Sequence, residues 1–169
     1  MGPLVLCVLL AGAFAAGLSP SDIAALRQSG TAVPAAALPN LAGGTLSLRS
    51  PDGKPTVLVV FASWCDPCRE NMSALVQLAR TSSARFVGID ELESASAAKA
   101  FVTEYKVPFP TVLLSATAFD APGVTDEQRG GTGIDIPAVY FIDAGGRSYK
   151  AIVGADAVRS WLRSPHPLE

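Results

Sequence analysis

The residues with the clearest chemistry are two cysteines in the run Trp64-Cys65-Asp66-Pro67-Cys68. Two intervening residues bring the sulfurs close enough for a reversible disulfide when the pair falls at the start of a helix. There, unpaired backbone N–H groups and the helix dipole stabilise a thiolate on the first cysteine. In such settings the pKa of the thiol lies below that of a free cysteine. The pattern predicts an ionised Cys65 open to incoming proteins and an inward-facing Cys68 that resolves a mixed disulfide.

Three neighbours influence this pair in different ways. Pro67 is tolerated in a first helical turn, because its missing N–H would have no partner there. Asp66 opposes the helix dipole, because a nearby carboxylate disfavours a thiolate on Cys65. Trp64 is expected to shield the sulfurs and to shape the surface on which a partner docks.

A zinc site and a permanent structural bridge are the alternative uses of a C-x-x-C pair. Zinc needs a second pair of ligands, but the single histidine, His166, lies in a proline-rich tail. A permanent bridge across so short a loop stabilises little, because the entropic gain grows with loop length. We therefore predict a redox-active pair that needs neither a metal nor an organic cofactor.

A buried strand and a helix are predicted to position the pair. The run from Thr56 to Ala62 is β-branched, aromatic and apolar, which is typical of a central strand buried on both faces. Residues 66–81 carry apolar side chains at helical spacing. Cys65 therefore falls between a central strand and the N-terminus of a helix.

The rest of the chain predicts alternating strands and helices. Strands are expected at Thr45–Leu48, Arg85–Asp90, Thr111–Leu114, Ala138–Ile142 and Arg147–Val153. Helices are expected at Ile23–Leu26, Ala95–Tyr105 and Asp156–Leu162, with a helical turn near Asp126–Arg129. This order predicts an α/β fold whose mixed central sheet is parallel in its first half and ends in an antiparallel hairpin, with helices on both faces.

The composition excludes several classes of protein. Of the 169 residues, 49% are hydrophobic, which is enough to fill a core and excludes a disordered chain. Thirteen basic and 15 acidic residues give a net charge of −2. No basic field exists to hold a phosphate backbone, so we expect no nucleic-acid partner. We expect a monomer with one compact domain.

The N-terminal segment predicts export. The run from Leu4 to Leu18 carries no charge. Its fifteen residues make a helix of roughly 22 Å, shorter than the ~30 Å hydrocarbon core. Ala13 and Ala15 suit a cleavage site. Removing the segment also removes Cys7 and leaves two cysteines, which favours a protein that works outside the cytoplasm, where disulfides persist.

Four segments are predicted along the chain. They are a signal peptide or N-terminal membrane anchor at 1–18, a lead-in helix and irregular segment at 19–44, the α/β domain with the cysteine pair at 45–163, and a tail at 164–169. Membrane contact is expected only through the first of them.

The run LVVFASWCDPCRENM, preceded by Gly53-Lys54, resembles the thioredoxin superfamily. Within it, the chain is most similar to the extracytoplasmic TlpA/ResA branch of membrane-anchored thiol–disulfide oxidoreductases. Two later runs, Lys106–Val112 and Ile136–Asp143, are similar to the proline-containing entries to later strands of that branch. The resemblance covers roughly residues 30–163 and implies a thioredoxin-like fold.

The resemblance also implies a site geometry and partners. The Ile136–Pro137 bond would be cis, and Pro137 would face the Cys65–Cys68 pair. The bend would expose the backbone of Ile136, which could pair with an extended substrate segment as an added strand. Electrons would come from a membrane thiol-transfer reductant. Substrates would be exported cysteine-containing proteins, apocytochromes c among them.

The chain departs from the family at the usual proton acceptors. Thioredoxin carries a buried Asp six residues before its first active-site cysteine, where this chain has Val59. TlpA/ResA-like proteins often have a Glu three residues after the second cysteine, where this chain has Asn71. We expect water, or the neighbouring Glu70, to accept the proton of Cys68.

An acidic cluster of Asp90, Glu91 and Glu93 follows a predicted strand. We interpret it as a solvated loop, with substrate choice as a secondary role.

We predict an extracytoplasmic thiol–disulfide oxidoreductase that reduces disulfides of exported proteins. Reduction is favoured because the residues between the cysteines include Asp66 and no His, whereas strong oxidants often carry a His between their cysteines that stabilises the reduced thiolate. The alternatives are a disulfide-forming oxidase, a peroxiredoxin-like antioxidant protein and a non-catalytic binding domain of the same fold. A peroxidase would need a Thr-x-x-Cys-like site, which the sequence lacks.

Overall fold

The computed structural model describes residues 30–33, 37–91, 93–114, 136–151 and 154–163. The predicted signal peptide or anchor at 1–18, the helix at 23–26, the helical turn at 126–129 and the tail at 164–169 lie outside these residues. Within them, no helix is both long and apolar enough to cross a membrane.

A mixed sheet forms the centre of the described fold. Six strands follow the order β1-β8-β7-β4-β5-β6, and β2 pairs with β3 in a separate ribbon. The strands are β1 (Thr31–Ala32), β2 (Leu38–Pro39), β3 (Thr45–Leu46), β4 (Thr56–Phe61), β5 (Arg85–Glu91), β6 (Thr111–Leu114), β7 (Ala138–Ile142) and β8 (Arg147–Ala151). The helices are α1 (Asp66–Thr81), α2 (Ala95–Glu104) and α3 (Ala155–Arg163).

Strand β4 is central in this sheet, as its apolar, β-branched sequence predicts. All of its residues are buried. Val59 lies opposite Gly88 of the parallel strand β5 and opposite Val139 of the antiparallel strand β7. The β5–β6 pair is also parallel, and β7–β8 is an antiparallel hairpin. The predicted α/β fold with a mixed sheet is confirmed.

The two faces of the sheet pack into separate hydrophobic clusters, because successive side chains of a strand point in opposite directions. Leu58 and Val60 belong to one cluster, called here the far-side cluster. Val57, Val59 and Phe61 belong to the other, which also contains both cysteines and is called here the cysteine-side cluster. The helices contribute to it Met72, Leu75 and Val76 from α1, Phe101 from α2, and Ala155 and Val158 from α3.

The prediction of an irregular segment in the later part of residues 19–44 is wrong in two places. Strand β1 pairs with β8 and β2 pairs with β3. Val33 and Leu38 are buried in the cluster on the far face of the sheet. A two-residue strand is too short to show an alternating pattern, and the partner of β1 lies more than a hundred positions away, so no local signal marks it.

Candidate active site

Cys65 lies where the chain leaves β4 and enters α1. It is the N-cap of α1, with extended backbone angles of φ −92° and ψ 104°. Pro67 occupies the first turn, where its missing N–H leaves no hydrogen bond unmade. Cys65 and Cys68 form a disulfide with an S–S distance of 2.11 Å and a Cα–Cα distance of 5.2 Å.

The first turn of α1 directs one backbone N–H at the Cys65 sulfur. The N–H of Cys68 donates to the Cys65 Sγ at 3.2 Å. The N–H groups of Cys68 and Arg69 also donate to the Cys65 carbonyl, at 3.0 and 3.1 Å. A thiolate formed at this sulfur would therefore keep a backbone donor and the positive end of the helix dipole.

The sulfurs are more shielded than the sequence predicts. Cys65 keeps 5% of its surface exposed and Cys68 keeps 1%. The exposed residue at this end of α1 is Trp64, at 58%. The order of exposure still fits the expected roles, because the cysteine that must meet a partner is the more accessible of the two.

The predicted proton acceptor Glu70 is not brought to Cys68. Two residues along an α-helix correspond to a rotation of about 200°, so Glu70 lies on the side of α1 away from Cys68. It is exposed there, and Asp66 is exposed as well. Asn71 donates its side-chain N–H to the Pro67 carbonyl at 2.8 Å.

The Ile136–Pro137 segment lies at the end of the sheet where β4 finishes and the chain continues to Cys65. The bond between these residues is cis, and Pro137 is buried. The next residue, Ala138, pairs with Val60 near the end of β4. Ile136 packs against both hydrophobic clusters, the cysteine-side cluster among them.

Arg69, which the sequence did not single out, ties α1 to two neighbouring elements. Its guanidinium donates to the Ser63 carbonyl at 3.3 Å and to the Glu104 carboxylate at 3.1 Å. The same group lies 5.9 Å from the ring centres of both Phe101 and Tyr105. Its partner Glu104 lies 35 positions away, so the sequence carries no local signal for this role.

The interpretation of Asp90, Glu91 and Glu93 as a solvated loop is wrong. Strand β5 continues through Glu91, and Asp90 and Glu91 are 0% and 2% exposed. Burial raises the pKa of Asp90 to about 9, and the nearby Glu93 and Glu91 carboxyls act in the same direction. Charge alone suggested a solvated position, whereas pairing with both β4 and β6 holds Asp90 inside.

Glu93 binds the residue that precedes Trp64. Its Oε1 accepts the backbone N–H of Ser63 at 2.8 Å, and its Oε2 accepts the Ser63 hydroxyl. Among the described residues, no group of three or more His, Cys, Asp or Glu side chains is arranged to hold a metal ion. The cluster therefore contacts the loop beside the cysteines and is not arranged as a metal site in that part of the chain.

A model of the AhpC/TSA family matches residues 29–147. The chain belongs to the AhpC/TSA family. It is 25% identical to the thiol-disulfide oxidoreductase ResA of Bacillus cereus over 75% of this chain and 70% of that protein. It is 32% identical to the thiol:disulfide interchange protein CycY of Rhizobium leguminosarum bv. viciae, over 71% of this chain and 60% of that protein.

A solved structure shares the fold of this chain. It is a secreted disulfide oxidoreductase of Mycobacterium tuberculosis described as homologous to E. coli DsbE. Its TM-score is 0.58 at 26% identity, over 76% of this chain and 94% of that one. The resemblance to thioredoxin-like oxidoreductases is thus confirmed, and this family member is a thiol–disulfide oxidoreductase.

Proposed function

We propose that this protein works outside the cytoplasm and reduces disulfides of exported proteins through Cys65 and Cys68. The observation that carries the proposal is the Cys65 sulfur at the N-cap of α1, bonded to Cys68 and accepting a backbone N–H. A sulfur in this position is both a stabilised thiolate and a good leaving group when its partner attacks.

The proposed reaction begins with the reduced pair. The Cys65 thiolate attacks one sulfur of a substrate disulfide, the substrate S–S bond breaks, and the departing substrate thiolate takes up a proton. Cys68 then loses its proton to water and attacks the Cys65 sulfur, which releases the second substrate thiolate. The substrate gains two electrons, and the protein is left with the Cys65–Cys68 disulfide. The two sulfurs suffice for this exchange without a metal or an organic cofactor.

The reductant that regenerates the dithiol is proposed to be a membrane thiol-transfer protein. Export would depend on residues 1–18, as a cleaved signal peptide or a retained anchor. The similar M. tuberculosis protein is described as secreted, which supports this location. Apocytochromes c are the proposed substrates of first choice, because their cysteines must be reduced before haem attachment.

The surface for these substrates is proposed to include Trp64 and the backbone of Ile136. Trp64 is the exposed large hydrophobic side chain among the described residues. Ile136 is half-buried at the end of the sheet where β4 leads to Cys65. An extended segment could add its backbone beside Ile136 while an apolar side chain covers Trp64.

Trapping in the native host tests this proposal. The Cys68→Ala variant cannot resolve the mixed disulfide, so exported cysteine-containing proteins should stay bound to Cys65 and be released by a reductant. The Cys65→Ser, Cys68→Ala double variant is the matched control and should trap nothing. Capture of no exported protein, or capture equal to that of the control, would refute the assigned substrates. Equilibration with glutathione gives the direction, since a strongly oxidising pair would contradict a reductase.

A further inference from the structure

A buried carboxyl group lies on the same face of the sheet as the cysteines. Along β5, Val87 and Ile89 belong to the far-side cluster and Phe86 to the cysteine-side cluster. By this alternation the side chain of Asp90 points to the cysteine side. Its neighbours in register are Phe61 on β4 and Leu113 on β6, and neither can ionise.

The Asp90 carboxyl group has no partner that would stabilise a charge. Both of its oxygens are buried, and no N–H or O–H group among the described residues donates a hydrogen bond to either of them. An isolated carboxylate in an apolar interior is so costly that the group keeps its proton instead. Asp90 is thus a neutral acid with one O–H to donate.

Glu93 has the complementary chemistry. Both of its oxygens accept hydrogen bonds from Ser63, which is the behaviour of a carboxylate. Within the described residues it forms no ion pair with a cation. Ser63 follows Phe61, the residue opposite Asp90, by two positions, so the hydrogen bonds to Ser63 hold Glu93 close to Asp90. The carboxyl of Glu93 accordingly raises the pKa of Asp90 as a hydrogen-bond partner and as a nearby charge.

Ser63 transmits this arrangement to the active site. Its N–H and hydroxyl are held by Glu93, and its carbonyl accepts from Arg69 at 3.3 Å. The next residue but one is Cys65, whose N–H donates to the Ala62 carbonyl at 3.3 Å. Residues 62–65, here called the site loop, are therefore anchored on one side by Glu93 and on the other by α1.

We propose that Asp90 and Glu93 share one proton, and that this proton keeps Glu93 bound to Ser63 and so positions the site loop. When the shared proton is lost in alkaline solution, two adjacent negative charges occupy a poorly solvated space. The half-buried Glu93 is the one that can reach solvent, and its departure would release Ser63. Asp90 and Glu93 are positioning residues, because neither is shown to contact sulfur.

The other charged groups nearby do not replace the proton. Glu91 is the next residue of β5 and points to the opposite face of the sheet. On α2, Lys99 is exposed and Glu104 binds Arg69. Arg69 of α1 donates to the Ser63 carbonyl and to Glu104, and not to the carboxyl groups of Asp90 or Glu93. Among the described residues, a proton is thus what neutralises the pair.

An NMR titration of the oxidised protein tests the shared proton, since disulfide-bonded cysteines do not titrate. In the wild-type protein, the Asp90 carboxyl carbon and the Ser63 β-carbon should shift together, with a midpoint near pH 9. Asp90→Asn keeps a donor for Glu93 and removes the proton, so the Ser63 step should vanish. Glu91→Gln changes the buried neighbour on the opposite face and is the matched control. It should keep the Ser63 step, at a somewhat lower midpoint because the Glu91 carboxyl also raises the pKa of Asp90.

A second variant protects the test against misfolding of Asp90→Asn. In Glu93→Gln the neighbouring charge is gone, so Asp90 should titrate at a lower pH than in the wild-type protein. An Asp90 that titrates in the ordinary acidic range, a Ser63 step that persists in Asp90→Asn, or an unchanged midpoint in Glu93→Gln would each overturn the proposal.

The functional readout is the rate at which a phosphine reductant opens the Cys65–Cys68 disulfide. Below the midpoint the wild-type protein and Asp90→Asn should react equally fast. Above it, the wild-type rate should exceed that of Asp90→Asn by about threefold or more, because only the wild-type site loop is released. Parallel rates at every pH would contradict this role.

This role rests on the redox-active pair proposed above, but separate experiments test the shared proton and the disulfide chemistry. Reduction of insulin by the wild-type protein reports the disulfide chemistry alone. A protein that reduces insulin but lacks the Ser63 titration would keep the proposed function and lose the shared proton.

Discussion

Ser63 and Glu93 are joined by two hydrogen bonds although 30 positions separate them in the chain. One of these residues lies immediately before Trp64, and the other follows the central strand β5. The contact therefore connects the loop that carries the reactive sulfur with the strand beside it. The buried acid Asp90 precedes Glu93 in the chain and lies on the cysteine side of the sheet.

Stability should fall with rising pH because of Asp90. Its pKa is raised in the folded state, so the folded protein keeps a proton that the unfolded chain releases. Its contribution to folding is complete in acid and is lost progressively as the pH rises toward about 9. The Asp90→Asn variant has no titrating group at this position, so its stability should not fall with pH for this reason. The difference in unfolding free energy, Asp90→Asn minus wild type, should therefore increase by up to about 1.4 kcal/mol per pH unit between about pH 5 and pH 8.

Urea unfolding of the oxidised proteins at several pH values measures this difference. Glu91→Gln again serves as the comparison for replacing a buried acid by its amide. Parallel stability curves for Asp90→Asn and the wild-type protein would show that Asp90 is ionised in the fold.

The hydroxyl of Ser63 should contribute measurably to stability. Ser63→Ala removes one of the two hydrogen bonds to the Glu93 carboxylate, which should cost about 1–2 kcal/mol of unfolding free energy. Ser73→Ala, at an exposed position of α1, is the matched control and should lie within about 0.5 kcal/mol of wild type. Equal effects of the two substitutions in denaturant titrations would mean that the Glu93–Ser63 contact carries little energy.

Trp64 should matter for protein substrates more than for small ones. Its side chain is 58% exposed beside a sulfur pair that is itself nearly buried, so a docking protein would cover it. Trp64→Ala should lower the kcat/KM for insulin reduction by about tenfold, as is typical of an exposed aromatic anchor. The rate with a small disulfide such as oxidised glutathione should change by less than about twofold. An equal loss with both substrates would assign Trp64 to the chemistry and not to docking.

The elements that carry the active site could be predicted from the sequence. The helix at 66–81 and the strand at Thr111–Leu114 have the predicted bounds, and β4 ends one residue before the predicted limit. Long periodic segments reveal their structure locally, and the C-x-x-C pair marks the junction between strand and helix. Cys65 and Cys68 accordingly lie where their spacing predicts.

The features that the sequence did not predict depend on distant partners. The burial of Asp90 follows from pairing with strands on both sides. The role of Arg69 depends on Glu104 and on the rings of Phe101 and Tyr105. The narrow exposure of Cys65 likewise depends on how the elements pack. The residues adjacent in the sequence do not predict any of these properties.

The most direct test of the thiolate at the start of α1 is the pH dependence of alkylation of the reduced protein. Iodoacetamide should modify Cys65 before Cys68, because Cys65 is the more exposed and receives a backbone N–H at its sulfur. The half-maximal rate should fall at a pH below that of a free cysteine. Modification of Cys68 first, or a Cys65 profile at or above that of free cysteine, would contradict an activated Cys65.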